Sequence, residues 1–139
     1  MNLSTLKDAD NFFKIYVPYK NQATPRLADI GAQDVNGSMR QVCPKHVEYL
    51  GIDFIEGKGV DVVLDDPYSF PLETKSFDIV VSSSCFEHSE MFWLTFLEML
   101  RITKDDGLIY INAPSNAAYH RYPVDCWKFY PDSGLALVN

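Results

Sequence analysis

The feature that most constrains the fold is a series of five short apolar runs, each followed by a polar turn. The runs lie at residues 26–30, 47–53, 60–64, 77–83 and 108–112. They are nearly continuous and rich in β-branched residues, which is typical of strands buried on both faces of a parallel sheet. The sequence therefore predicts a mostly parallel central sheet of about five strands.

Helical patterns accompany these runs and complete an α/β arrangement. Residues 90–103, between the fourth and fifth runs, carry a broad apolar face, with Ser89 predicted as the N-cap and Gly107 as the stop. Residues 5–16 predict an earlier helix, and Pro131 is predicted to begin a last one. Strand, helix and strand at this spacing form a βαβ unit. The apolar positions are Leu6, Phe12, Phe13 and Tyr16 in the early helix, and Phe92, Trp93, Phe96, Leu97, Met99 and Leu100 in the long one.

Two connections are unusually short for such a sheet. Only residues 54–59 separate the second and third runs, whereas a parallel crossover normally needs about a dozen residues. Either the third strand is very short and reached by a tight loop, or the pairing there is unusual. Pro44 also limits the helix after the first run to about two turns beyond Gly37.

Composition narrows the class of protein. A chain of 139 residues with 47% hydrophobic residues predicts one domain with a packed core. The three cysteines, Cys43, Cys85 and Cys126, are widely spaced, which favours the reducing cytoplasm and predicts neither a disulfide framework nor a metal site. A net charge of −7 disfavours nucleic acid as a partner. We see no signal peptide and no apolar run long enough to span a membrane.

The turn after the first run has the character of a ligand-binding loop. Gly31 follows the run directly, and a glycine there lets the backbone approach a ligand closely. Asp29 suits a cationic ligand rather than a pyrophosphate. Gln33 stands where a dinucleotide-binding fingerprint has its second glycine, and the next glycine is Gly37. A plain tight turn between strand and helix is the alternative interpretation.

Six segments in order resemble the motifs of class I S-adenosylmethionine-dependent methyltransferases, in particular those of methyltransferase type 11. The resemblance covers about residues 26–114 and implies a Rossmann-like fold that binds S-adenosylmethionine or S-adenosylhomocysteine. Gln33 departs from the first motif, which leaves the course of the first loop open. Asp105 and Asp106 replace a proline and a glycine in the last motif. The segments are residues 27–38, 49–53, 65–72, 76–81, 83–88 and 98–107.

The resemblance also implies a set of cofactor-binding residues. Asp53 would contact the ribose hydroxyls, and Asp65 or Asp66 the adenine. Alignment on the following Phe-Pro pair favours Asp66, but Pro67 then offers no N–H to a ring nitrogen, whereas Asp65 leaves the N–H of Asp66 for that role. The full set is Asp29, Gly31, Ala32, Gln33, Gly37, Asp53, Phe54, Asp65, Asp66, Ser83, Cys85 and His88.

Three residues are candidates for the chemistry itself. His88 lies near the expected cofactor mouth and is either a base or a residue that shapes the pocket. His120 and Asp125 belong to a segment after the fifth run that is dense in polar and aromatic side chains. That segment either contacts the acceptor, for which a small molecule or a glycan is expected, or folds back as an aromatic plug.

The predicted organisation is an N-terminal helix and linker (residues 1–25), a cofactor-binding core (26–114) and an acceptor-side segment (115–139). The family usually adds two more strands, which we expect this chain to lack. Residues 108–112 would then form an open edge, covered by a second copy in a homodimer, the favoured option, or by residues 119–130. A non-catalytic domain that binds the cofactor or a partner is the main functional alternative. A nicotinamide-dependent oxidoreductase is weaker, because its third glycine is missing.

Overall fold

The computed structural model describes residues 3–17 and 24–138. Within the described residues the regular structure comprises three α-helices and five strands, with single turns of 3-10 helix at Met39–Gln41 and Phe86–His88. In chain order the elements are α1 (Leu3–Tyr16), β1 (Arg26–Ile30), β2 (Glu48–Asp53), β3 (Val62–Val63), β4 (Phe77–Ser83), α2 (Phe92–Ile102), β5 (Thr103–Asn112) and α3 (Pro131–Val138).

The five strands form one sheet in the order β3-β2-β1-β4-β5. Every neighbouring pair is parallel, and Ala28 in the central strand lies between Leu50 of β2 and Val80 of β4. The carboxyl ends of the strands therefore meet at one edge of the sheet, where open α/β sheets bind ligands. The predicted α/β, Rossmann-like, mostly parallel sheet is confirmed.

The short connection before the third strand is explained by the length of that strand. β3 has only two residues, which pair with Ile52 and Asp53. The loop before it is closed by Asp61, whose N–H donates to the carbonyl of Gly51 at 2.7 Å and whose carboxylate accepts the N–H of Gly51 at 2.7 Å. A single 3-10 turn follows β1, as the position of Pro44 predicts.

Each face of the sheet carries its own core, because successive residues in a strand point to opposite faces. Ala28 and Ile52 pack with Met99 and other residues of α2 on one face. Leu27 packs with the phenylalanines of α1 on the other. Both faces are thus covered by helices, which explains why the strands are apolar without alternation.

The boundaries of α2 differ from those predicted. Met91 rather than Ser89 occupies the N-cap, and the hydroxyl of Ser89 instead contacts that of Thr95 at 3.1 Å. The helix ends at Ile102 because Thr103 turns into extended backbone and pairs with Phe77 in the sheet. Gly107 therefore lies inside β5, and its prediction as a helix stop is wrong.

The helical apolar faces are narrower than their composition suggests. Phe96 and Met99 are buried, but Trp93, Leu97 and Leu100 are 44–57% exposed. In α1, which begins at Leu3, Tyr16 was expected on the apolar face but is half exposed. One turn of a helix offers only part of its circumference to the sheet, so apolar residues beyond that arc remain outside the core.

The C-terminal helix begins at Pro131 as predicted, and Leu137 packs against the α2 side of the sheet. Within the described parts of the chain, no helix combines the length and the apolar character that crossing a membrane requires. The predicted N-terminal linker falls largely on residues 18–23, which lie outside the described residues.

Candidate functional site

A cavity of about 730 Å³ opens at the carboxyl edge of the sheet. One wall consists of the turns after β1 and β2, and we call it the strand wall. The rest of the lining consists of the turn after β4 and of residues 117 and 120–124, and we call these last residues the segment wall. A volume of this size is within the usual range for small-molecule sites, about 300–1,000 Å³.

The glycine turn after β1 is held tightly against its neighbours. The N–H groups of Gly31 and Ala32 both donate to the carbonyl of Ile52, at 2.9 and 3.1 Å. Gly31 has a φ of +81°, and a Cβ at this position would lie 2.6 Å from the Cβ of Cys85. A side chain is therefore excluded here by both backbone conformation and space.

Asp29 is a buried carboxylate on the strand wall. It accepts a hydrogen bond from the hydroxyl of Tyr49, and it is 3% exposed. Burial raises the pKa of Asp29 to about 6, although the Tyr49 hydrogen bond and the charge of Arg40 oppose that rise. A cationic ligand group beside it would favour the ionised form. Sequence reasoning did not identify Tyr49 as its partner.

Asp53 ties the two turns of the strand wall together. One carboxylate oxygen accepts the N–H of Gln33 at 3.1 Å, and the other accepts those of Phe54 and Ile55 at 2.8 and 3.3 Å. The residue is buried at the end of β2. It thus has a structural role whatever it binds, and Phe54 beside it is 44% exposed on the cavity.

Gln33, which departs from the glycine pattern, connects the two walls. Its amide oxygen accepts the hydroxyl of Tyr122 at 2.9 Å, and its amide nitrogen lies 3.5 Å from the carbonyl of Glu56. Gly37 closes the same loop at a φ of +108°, with its N–H 2.8 Å from the carboxylate of Asp34. The glutamine therefore makes a contact that a glycine would lack.

The two predicted adenine-binding carboxylates do not line the cavity. Asp65 and Asp66 are both exposed, and Asp66 accepts the N–H of Tyr68 at 2.8 Å within its own turn. The cavity is lined instead by Leu64, Pro67 and Tyr68. Contact between either aspartate and an adenine stays a prediction.

The turn after β4 supplies buried groups to the other side. Ser83 lines the cavity, and its buried hydroxyl has no hydrogen-bond partner among the residues that the structure describes. Burial raises the pKa of the Cys85 thiol to about 12. Burial thus favours the neutral thiol form of this cavity-lining residue.

Glu87 is a functional candidate that sequence reasoning missed. It lies in one of the six family-like segments, residues 83–88, but the resemblance implies no role for its carboxylate. The residue is 1% exposed, and its Oε2 has no hydrogen-bond partner in the described part of the chain. Burial raises its pKa. Its other oxygen lies 3.8 Å from Nε2 of His88.

The structure brings together the three residues predicted to carry chemistry. The rings of His88 and His120 meet edge to face, with centroids 5.0 Å apart. The carboxylate of Asp125 accepts the backbone N–H of His120 at 2.8 Å and pairs with Lys128. That pairing holds the pKa of Asp125 below its ordinary value. Asp125 itself does not line the cavity, and its predicted role in the chemistry stays a prediction.

The segment after β5 combines features of both predicted roles. Its first part, residues 117 and 120–124, lines the cavity. Phe129, farther along, packs against Phe86 and Phe92 as an aromatic plug. The N–H groups of Cys126 and Trp127 donate to the carbonyl of Glu87 at 2.7 and 3.3 Å. These contacts join residues far apart in the sequence, and no local spacing signals them. Whether the first part contacts an acceptor stays a prediction.

A family model described as a methyltransferase domain matches residues 19–111 of the sequence. Comparison with curated proteins finds no match.

Several solved structures share the fold. A 1,6-didemethyltoxoflavin-N1-methyltransferase from Burkholderia thailandensis, solved with 1,6-didemethyltoxoflavin and S-adenosylhomocysteine, is 13% identical, with a TM-score of 0.71 over 97% of this chain and 65% of that one. The YcgJ protein from Bacillus subtilis is 18% identical, with a TM-score of 0.62 over 82% and 52%. The (4+2)-cyclase SpnF is 16% identical, with a TM-score of 0.71 over 96% and 56%.

At these identities the likeness establishes the fold alone. The chain spans 52–65% of the length of these three structures.

Proposed function

The chain belongs to the family of methyltransferase domains, since the family model matches well over half of it, and on that premise we propose that it transfers a methyl group from S-adenosylmethionine to an acceptor. The observation that carries the proposal is the cavity at the carboxyl edge, with a buried carboxylate and a glycine turn on one wall and a polar cluster on the other.

The strand wall fits the proposed cofactor by its chemistry. S-adenosylmethionine is a sulfonium cation with an ammonium group, and Asp29 places a buried carboxylate on the cavity whose pKa of about 6 a cation would lower. Gly31 lines the cavity, and its missing side chain makes room for Cys85. Asp53 would offer the remaining acceptor positions of its carboxylate to ribose hydroxyls. The bound cofactor would supply the methyl group as an electrophile, and the residues of the chain would orient and enclose it.

The other walls are proposed to take the acceptor. His88, His120, Arg121 and Tyr122 contribute polar groups to the cavity. Such a lining suits a hydroxyl-rich ligand, which agrees with the small molecule or glycan expected from the sequence. Methyl transfer depends chiefly on alignment of the acceptor with the methyl group, so walls that fix both ligands contribute to the rate.

Calorimetry with S-adenosylhomocysteine and with NAD tests the cofactor. We expect the first to bind and the second to give no heat beyond dilution. Binding of NAD alone would support the oxidoreductase alternative, and binding of neither would contradict the proposal. A protein that binds S-adenosylhomocysteine but transfers no label from methyl-labelled S-adenosylmethionine across a panel of glycans and small hydroxylated acceptors would support the non-catalytic alternative.

We also propose that β5 pairs with a second copy. β5 is the last strand in the sheet order, and residues 126–129 hydrogen-bond to Glu87 and Pro114 rather than along this strand. Ile109 packs into the core, so its substitution by Lys would damage the fold rather than only the edge. Sedimentation of the unmodified chain at micromolar concentration is the cleaner test, and a monomer mass would contradict the dimer.

The three unpaired cysteines agree with the cytoplasmic location that we propose.

A further inference from the structure

Three side chains at the junction of the turn after β4 and the segment wall converge on one point. Glu87, His88 and His120 each present a ligand atom, and these atoms all lie within 4.8 Å of one another. We propose that they bind a divalent transition-metal cation. The sequence predicted no metal site, because its three cysteines are widely spaced and form no closely spaced pair.

The buried carboxylate gives the first independent indication of a ligand. Oε2 of Glu87 has no hydrogen-bond partner among the described residues, although the residue is 1% exposed. An unpartnered carboxylate oxygen in a buried position costs free energy unless something satisfies it. A cation at this point satisfies it, and the imidazole of His88 already lies beside the other oxygen.

Both imidazoles are oriented as metal-binding histidines usually are. Nδ1 of His88 lies 2.5 Å from the carbonyl of Val124, and Nδ1 of His120 lies 3.0 Å from the carbonyl of Ala118. A carbonyl only accepts, so each Nδ1 carries the proton and each Nε2 keeps its lone pair for a metal. Asp125, 3.6 Å from Nδ1 of His120, adds a carboxylate behind that ring.

The ligand set indicates which cation is expected. Two imidazole nitrogens and one carboxylate oxygen suit Zn²⁺, Mn²⁺, Fe²⁺ or Co²⁺ rather than Ca²⁺, which prefers oxygen ligands. Distances of about 2.0–2.2 Å to each ligand require the three atoms to come closer than 4.8 Å. The side chain of His120 is 51% exposed and has room to make that movement.

Three protein ligands would leave open positions on the cation, and the same three residues line the cavity, so a ligand bound there could reach it. This part of the inference rests on the proposed function. An acceptor hydroxyl at an open position has a lowered pKa and loses its proton to solvent. Its oxygen then bonds to the methyl carbon, and the carbon–sulfur bond of the cofactor breaks with its electron pair remaining on sulfur. His88 and His120 are thus ligands in this proposal rather than bases.

Cation binding is tested on the purified full chain after treatment with a chelator. Titration with Co²⁺ should give one equivalent bound by calorimetry, with visible absorption bands typical of nitrogen and oxygen ligands, and Zn²⁺ should displace it. Glu87→Gln and His120→Ala should each weaken Co²⁺ binding at least about tenfold. His46→Ala is the matched control, because His46 is exposed and lies away from the cavity, and it should bind as the unmodified chain does.

Absence of a stoichiometric site, or equal weakening in His46→Ala, would overturn the proposal. Thermal melts show whether Glu87→Gln is folded, and the exposed His120 gives a second variant that leaves the core intact. S-adenosylhomocysteine binding measured in parallel separates the two proposals. A chain that binds Co²⁺ but not S-adenosylhomocysteine contradicts the proposed function alone, and the reverse contradicts only the metal site.

Discussion

The strand wall and the segment wall of the cavity are built in different ways. The strand wall consists of turns that leave adjacent parallel strands and are tied together by backbone hydrogen bonds, such as those from Gly31 and Ala32 to Ile52. The segment wall lies on a stretch without helix or strand, and most of its residues are exposed. It is attached through a few long-range bonds, including Tyr122 to Gln33 and Val124 to His88.

Because of this difference, we expect the strand wall to be the more rigid of the two and the two walls to bind different ligands. A ligand that every relative shares is best bound by a wall that the sheet itself fixes. A wall on an irregular segment tolerates change in sequence and length, so it suits a ligand that differs between relatives. We therefore expect substitutions on the strand wall to affect cofactor affinity most, and those on the segment wall to affect the acceptor.

The largest effect is expected from Gly31→Val. The new Cβ would lie 2.6 Å from that of Cys85, at a backbone φ of +81° that a β-branched residue does not tolerate. We expect S-adenosylhomocysteine binding to fall by at least about 100-fold, together with a lower melting temperature. The close approach to Cys85 is the reason for the expected loss of stability.

Gly134→Ala is the control for this change. Nothing lies within 4 Å of a Cβ at Gly134, which is in α3. Binding should be unchanged, and the helix should gain up to about 1 kcal/mol. If Gly31→Val binds normally in calorimetry, the loop is only a turn and the strand wall does not hold the cofactor.

The next largest effect is expected from Asp29→Asn, which removes the charge and keeps an acceptor for the Tyr49 hydroxyl. Loss of a charge-assisted bond worth about 1.5–3 kcal/mol should weaken S-adenosylmethionine binding by about 10- to 100-fold at pH 7. In the unmodified chain, affinity should fall as the pH drops through about 6, because Asp29 becomes protonated there. A pH-independent affinity between 5 and 7.5 would contradict a role for this carboxylate.

Asp29→Asn should weaken cofactor binding but raise the free energy of unfolding at neutral pH. The folded-state pKa of Asp29 is raised, so its favourable contribution is complete below the ordinary value of 3.8 and is lost as the pH rises through about 6. Asn does not titrate. The variant should therefore be more stable at pH 7 by up to about 3 kcal/mol, and the difference should vanish near pH 4. Denaturant unfolding at both pH values measures it.

Asp53→Asn tests the other carboxylate of the strand wall with a smaller expected loss. The amide oxygen can still accept some of the N–H groups that the carboxylate accepts, so the turns should stay in place. We expect about tenfold weaker binding of S-adenosylhomocysteine, from the lost charge toward the ribose. Unchanged affinity in a folded variant would remove Asp53 from the cofactor site. Asp66→Asn, at an exposed position, tests in the same way the predicted contact between Asp66 and the adenine.

The smallest effect is expected where the two walls meet. Tyr122→Phe removes the hydroxyl that donates to Gln33 at 2.9 Å, a bond worth about 0.5–1.5 kcal/mol. Binding of S-adenosylhomocysteine should weaken only about two- to tenfold. Tyr119→Phe changes a hydroxyl on a residue that is 74% exposed, and it should have no effect. A double-mutant cycle with Gln33→Ala shows whether the two residues are coupled. Additive effects would mean that the walls are independent.

The sequence by itself determined the sheet and the strand wall. β1 and β4 begin and end where their apolar runs do, and Asp29, Gly31 and Asp53 line the cavity as their places at strand ends predict. The reason is that these features are local, since burial on both faces dictates apolar runs and a tight turn dictates glycine.

Only the tertiary structure decided the rest. The end of α2 depends on Thr103 joining the sheet beside Phe77, which overrides the glycine signal four residues later. The cluster of Glu87, His88 and His120, the Tyr49 partner of Asp29 and the bridge from Gln33 to Tyr122 join residues distant in the chain. No periodicity or turn chemistry encodes such pairs, because packing and the path of an irregular segment bring them together.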